Sequence, residues 1–210
     1  VAARVARLAG YDRRPEHRKV DRAACGRELQ RRAGPDVERT GEAAFEHISS
    51  TANETVKLLK SLDRKKARAE TGLFLAEGAR LAEEALSHRW APAYVLAAAA
   101  ALGRPQTAAL LARMKKAGAR VLTASEKVLG SVSRKDNPQT VIAAFKQKLS
   151  GLADLPVDGA RRWVALYEVR DPGNLGAIVR TADAAGVDGV ILIGQCCDPF
   201  SVEAVRATMG

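Results

Sequence analysis

The feature that most restricts the fold is a strand, a sharp corner, a helix and a second strand, written consecutively between residues 163 and 194. Trp163 to Val169 is an apolar run, Asp171-Pro172-Gly173 turns the chain and presents Asn174, and a helix over 175–185 carries Arg180 nearly two turns in. Gly189 to Gly194 follows as a near-continuous apolar run, suited to a parallel strand buried on both faces. An α/β sheet uses pieces in this order, and the strand-to-helix corner is where such sheets place ligands and reactive groups.

The corner is not a dinucleotide loop. Such a loop needs G-x-G-x-x-G after its strand, whereas Gly173 and Gly176 stand three apart and the G-x-G pair is absent. Asp198 lies where a ribose-binding acid would be sought, but in a loop beside Pro199.

With 210 residues, 47% of them apolar, the chain has material for one large or two small domains. The most apolar stretch, Ala91 to Leu102, is too short and too rich in alanine for a membrane span. Val1 to Gly10, interrupted by Arg4 and Arg7, lacks the apolar block of a secretory signal, so a cytoplasmic protein is expected. Cys25, Cys196 and Cys197 are too few and too badly spaced for a metal site, and none is expected. The adjacent pair is read as reduced, partly buried apolar filler. His17, His47 and His88 are scattered, and no Ser-His-Asp or Cys-His arrangement is present.

Charge is more informative when divided along the chain. Of the net +10, residues 1–50 carry +3, residues 51–150 carry +10 and residues 151–210 carry −3. A polyanion would dock on the middle and be delivered to the end.

Residues 1–50, rich in Arg, Gly and Ala and broken at Gly34-Pro35 and Gly41, are expected to form a poorly ordered extension. From 51 to 149 helix and strand alternate. An amphipathic helix starting at Val56, Leu58, Leu59 and Leu62 is expected to continue through Arg64-Lys65-Lys66-Ala67-Arg68. Short strands follow at Leu73 to Ala76, Tyr94 to Leu96, Arg120 to Leu122 and Thr140 to Phe145, with helices between them, one capped by Ser125. This argues a compact α/β/α sandwich. Residues 150–161, with Gly151, Pro156 and Gly159, read as a linker, and a second domain occupies 162–210.

Asn174-Leu175-Gly176-Ala177-Ile178-Val179-Arg180-Thr181 resembles the first motif of the SpoU (TrmH-like) branch of the SPOUT RNA methyltransferases, an Asn followed six residues later by an Arg in an N-L-x-A-I-x-R-T frame. Residues 72–81 (Gly72-Leu73-Phe74-Leu75-Ala76-Glu77-Gly78-Ala79-Arg80-Leu81) and 133–140 (Ser133 to Thr140) resemble the substrate-binding domain that precedes the catalytic domain in that family. The resemblance implies a small RNA-binding sandwich followed by a truncated parallel-sheet domain of the trefoil-knot type. It also implies methyl transfer from S-adenosylmethionine to a ribose 2′-hydroxyl of ribosomal or transfer RNA, with no metal. Arg180 would favour alkoxide character on that hydroxyl by charge and fork-shaped hydrogen bonding. Asn174 would hold the ribose or the loop. Glu168 and Asp171 flank the turn, where two readings are open: they orient Arg180, or, the commoner case, they serve as a helix cap or a surface pair. Arg64, Lys65, Lys66, Arg68, Arg80, Arg134 and Lys135, placed in or beside loops of a rigid sheet, are the candidate RNA contacts.

The family's later motifs, which bind the cofactor, do not occur before Gly210. A fragment is therefore expected, its cofactor residues lying beyond that point and its parent a homodimer. A sheet cut there would leave an exposed strand edge. The competing reading is a noncatalytic RNA-binding module, favoured by the charge partition and opposed by the Asn174-to-Arg180 match.

Overall fold

The computed structural model describes residues 3–7, 45–133, 139–155 and 161–209, with residues 3–7 as backbone alone. Strands β2 (Glu46–Ile48), β3 (Leu73–Glu77), β4 (Pro92–Ala98), β5 (Arg120–Ala124) and β6 (Val141–Lys146) form one sheet in the order β2-β5-β4-β6-β3. β2, β5 and β4 are parallel, and β6 runs antiparallel to both of its neighbours. The period of two along β4 sends Leu96 and Ala98 to one face and Val95 and Ala97 to the other. Helices α1 (Glu54–Ser61) and α5 (Glu126–Ser133) cover the first face with Val56, Leu59, Val128 and Leu129. Helices α3 (Ala79–Ser87) and α4 (Pro105–Lys116) cover the second with Ala82, Leu110, Leu111 and Met114. The result is the three-layer sandwich that the alternation predicts.

A second sheet holds β7 (Trp163–Tyr167) and β8 (Gly189–Ile193), parallel and in register from Trp163 opposite Gly189 to Tyr167 opposite Ile193. Between them runs α6 (Pro172–Ala184), which lays Leu175 and Ala182 on Val164, Leu166, Val190 and Leu192. The last helix, α7 (Val202–Thr208), joins the two sheets. It crosses α6 and also packs on β3, where Phe200 and Val205 complete the second apolar face of the first sheet.

Two expectations are corrected. Residues 1–50 are not an extension throughout: Ala3–Arg7 forms β1, paired antiparallel with β8, and Glu46–Ile48 forms β2 on β5. Both strands are too short to carry a periodic signature, and each gains its hydrogen bonds from a partner far along the chain. β8 is thereby an inner strand, with β1 and β7 at the two ends of this sheet; residues 8–44 lie outside the described residues. The helix expected to run from Val56 through Arg68 is instead two, α1 and α2 (Lys65–Thr71). The guanidinium of Arg68 explains the break, because its Nη1 donates to the carbonyls of Leu62 at 2.8 Å and Asp63 at 2.7 Å. Carbonyls that a continuous helix would use internally are satisfied from the side.

Candidate active site

The strand-to-helix corner is built by capping. Asp171 is the N-cap of α6, its Oδ1 accepting from the backbone N–H of Asn174 at 2.6 Å, and Pro172 occupies the first helical position, where its missing N–H is of no consequence. The chain arrives at this corner through Glu168, a non-glycine residue in the left-handed region at φ 52°, and β8 leaves the sheet through Gly194 at φ 71°. The two corners adjoin, since the N–H of Glu168 donates to the carbonyl of Ile193 at 3.1 Å. They form the carboxyl-end crevice of the second sheet. Cys196 and Cys197 run along it, both half-buried free thiols; Cys196 Sγ donates to the carbonyls of Ile193 and Leu166, and the N–H of Cys197 to that of Val169. Burial pushes the Cys197 thiol above its ordinary pKa, with the charge of Cys196 adding to the effect. Such a thiol is a poor nucleophile, in keeping with a packing role.

Asn174 is exposed in the first turn of α6, and Arg180 is exposed further along it. Six helical residues separate their Cα atoms by about 9 Å along the axis and roughly 120° around it, so the two do not share a face. Among the described residues no hydrogen bond joins them. Arg180 turns toward α7, where its Nη1 lies 3.2 Å from the thioether of Met209, the left-handed C-cap at φ 63°. Thioether sulfur is a weak acceptor. Among the described residues no carboxylate pairs with this guanidinium. The helix supporting it is held close by Gly176: a Cβ there would meet the carbonyl oxygen of Ala204 and the Cβ of Ala207 at 2.5 Å.

The candidate RNA contacts separate into three groups. Arg64, Lys65 and Lys66 are exposed together where α2 begins, and Arg80 is exposed in the first turn of α3. Arg134 and Lys135 lie outside the described residues. Arg68 is a correction: it is buried, and in addition to the two carbonyls it holds Asp198, with Nε and Nη2 at 2.8 and 2.7 Å from Oδ2. Four of its five donors are spent inside the protein and its side chain is 4% exposed, so it does not present itself to a phosphate. A second, more exposed pair, Arg206 with Glu77 at 2.9 Å, ties α7 to β3. No local pattern announces these partners, which stand about 130 residues apart. Among the described residues no group of three His, Cys, Asp or Glu is placed to hold a metal, and no helix is long and apolar enough to cross a membrane.

Comparison with known proteins follows this division of the chain. Residues 53–143 match the model of the MRM3-like substrate binding domain, and residues 161–210 match that of the SpoU rRNA Methylase family. In these matches the chain is similar to the SpoU family. Among its relatives is the 23S rRNA (guanosine(2553)-2′-O)-methyltransferase RlmP of Bacillus subtilis, 34% identical over 79% of this chain and 62% of that protein. An uncharacterized tRNA/rRNA methyltransferase of Synechocystis is 32% identical over 78% of this chain and 58% of its own length. A crystal structure of an AdoMet-bound rRNA methyltransferase from Sinorhizobium meliloti superposes with a TM-score of 0.72 at 43% identity, covering 79% of this chain and 61% of that one. The chain thus spans about three fifths of the length of these two relatives. Among the described residues, the cavity that Arg180 borders is not suited to AdoMet, the methyl donor S-adenosylmethionine. That cavity is largely apolar, and its charged side chains are two cations, Arg180 and Lys148, against one carboxylate, Asp183, an excess that opposes a sulfonium.

Proposed function

We propose that this chain serves the transfer of a methyl group from S-adenosylmethionine to a ribose 2′-hydroxyl of ribosomal or transfer RNA. One observation carries the reading: Arg180, on the helix after the Asp171–Asn174 corner, is an exposed guanidinium answered only by a thioether among the described residues. A ribose hydroxyl attacks well only as negative charge gathers on its oxygen, and a guanidinium stabilises that charge by proximity and by two parallel donors. It acts as an electrostatic partner, because its own proton is held far too tightly for it to serve as a base. Asn174, exposed at the corner, offers a donor and an acceptor to orient the ribose. Arg64, Lys65, Lys66 and Arg80, together with Arg134 and Lys135, grip the RNA backbone. The acting form is a cytoplasmic homodimer, and the donor is supplied by residues other than those described. The printed names of the relatives, which include rRNA and tRNA/rRNA methyltransferases, support the substrate class.

The test is incorporation of labelled methyl groups into ribosomal RNA by a protein of the relatives' full length that contains these 210 residues. Arg180→Ala is expected to lower kcat by about 100-fold or more. Arg180→Lys should recover little of it, because a point charge lacks the fork. Activity near that of the unaltered protein in Arg180→Ala would remove the assignment.

A further inference from the structure

Arg180 borders a cavity of about 190 Å³ where α6 and α7 meet the first sheet. Its floor is aromatic. Phe74 of β3 meets Trp90 edge to face at 5.2 Å and Phe200 at 4.8 Å, and Trp90 and Phe200 are 6.0 Å apart. Ala85 and Val179 form opposite walls, contributed by α3 and α6. The lining also holds two cations: besides Arg180 it includes Lys148, whose ammonium lies 5.3 Å from the centre of the Trp90 ring while donating to the carbonyl of Arg89 at 2.7 Å. Asp183, one turn beyond Arg180 on α6, adds an acceptor.

This combination selects its occupant. Aromatic walls and an apolar interior suit a flat ring system, and the volume falls below the roughly 300–1,000 Å³ of pockets that take larger ligands. Two cations suit a ring that carries phosphates, which an apolar peptide or lipid tail does not. Splayed bases stacked on aromatic and guanidinium planes are the usual means by which proteins read single-stranded RNA. The exocyclic amino groups of bases are donors of the kind the Asp183 carboxylate accepts. In sequence Trp90 and Lys148 stand 58 residues apart, so no basic cluster of the chain shows an aromatic neighbour; the fold creates one. We infer that this cavity is a subsite for one unpaired RNA base, its flanking phosphates held by Lys148 and Arg180. The inference rests on the reading that Arg180 faces the RNA ribose.

The test uses the 210-residue chain and fluorescein-labelled ribose-phosphate nonamers that carry either no base or a single central base, each of the four in turn. Fluorescence anisotropy gives the affinities. At least one base is expected to tighten binding by about fivefold or more, the lower end of base–aromatic stacking. Ala85→Phe, which fills the cavity and leaves Arg180 and Lys148 intact, should erase that gain and leave the affinity of the baseless strand unchanged. Equal binding of all five strands by the unaltered chain, which requires no variant, would overturn the subsite. So would a gain that survives Ala85→Phe, or quenching of Trp90 emission by S-adenosylmethionine in a Trp163→Phe chain that shows no base-dependent gain. Loss of the subsite while Arg180→Ala still abolishes methyl transfer leaves the function standing. A base-dependent gain alongside unimpaired transfer by Arg180→Ala removes the function and leaves the subsite.

Discussion

Arg68 has given up nearly all of its water: its side chain is 4% exposed and that of Asp198 13%. Desolvating two ions is expensive, and the expense is met here by geometry, because the guanidinium serves one carboxylate and two carbonyls at once. Removing one member strands the other. Asp198→Ala and Arg68→Ala are each expected to destabilise the chain by about 3–5 kcal/mol in urea unfolding, with the double variant far from additive. Additive losses would show that the two act independently. Arg180 is the converse case, an exposed guanidinium with a thioether for company. Both stand in the same basic chain, and their sequence neighbourhoods do not separate a structural arginine from one free to act. The run Arg64-Lys65-Lys66-Ala67-Arg68 looks uniformly available, yet Arg68 turns inward at the fourth step because the partner that claims it lies 130 residues away.

Among the helices, α6 and α7 pack tightly against each other, and Gly176 permits it. In an isolated helix Gly→Ala would gain about 1 kcal/mol. Here the added methyl would strike the backbone carbonyl of Ala204, which cannot move without its helix, and overpacking costs about 1–3 kcal/mol. Gly176→Ala is therefore expected to lower the Tm, whereas Gly103→Ala, facing open space, should leave it unchanged or raise it; the reverse order would mean that the two helices are not in close contact. Most elements were legible in the sequence because their causes are local. Short apolar runs marked β4 and β6, Ser125 marked the start of the helix it caps, and Asp171 and Pro172 mark the corner that positions the candidate site. The break between α1 and α2 was not legible, since a guanidinium four residues past it supplies what the carbonyls need. Nor were β1 and β2, whose existence depends on strands placed far ahead. The aromatic floor beside Arg180 was hidden for the same reason.

At the scale of the whole molecule, charge and chemistry are divided between the two sheets. The segment that builds the first sheet carries a net +10, and the one holding Asn174 and Arg180 carries −3. If the exposed start of α2 meets phosphates, Lys65→Ala with Lys66→Ala should reduce the slope of log affinity for single-stranded RNA against log salt by roughly 1.4 units. An unchanged slope would place those charges in water. The division is nevertheless not modular, because Arg68 is specified long before the carboxylate that neutralises it. On a ribosome the guanidinium emerges first and waits for its counterion, so the ending of α1 cannot mature until the far half has been made. Grafting a homologous tail that lacks an acid at position 198 would import a new catalytic corner and orphan a cation in the old core. The two halves are inherited together.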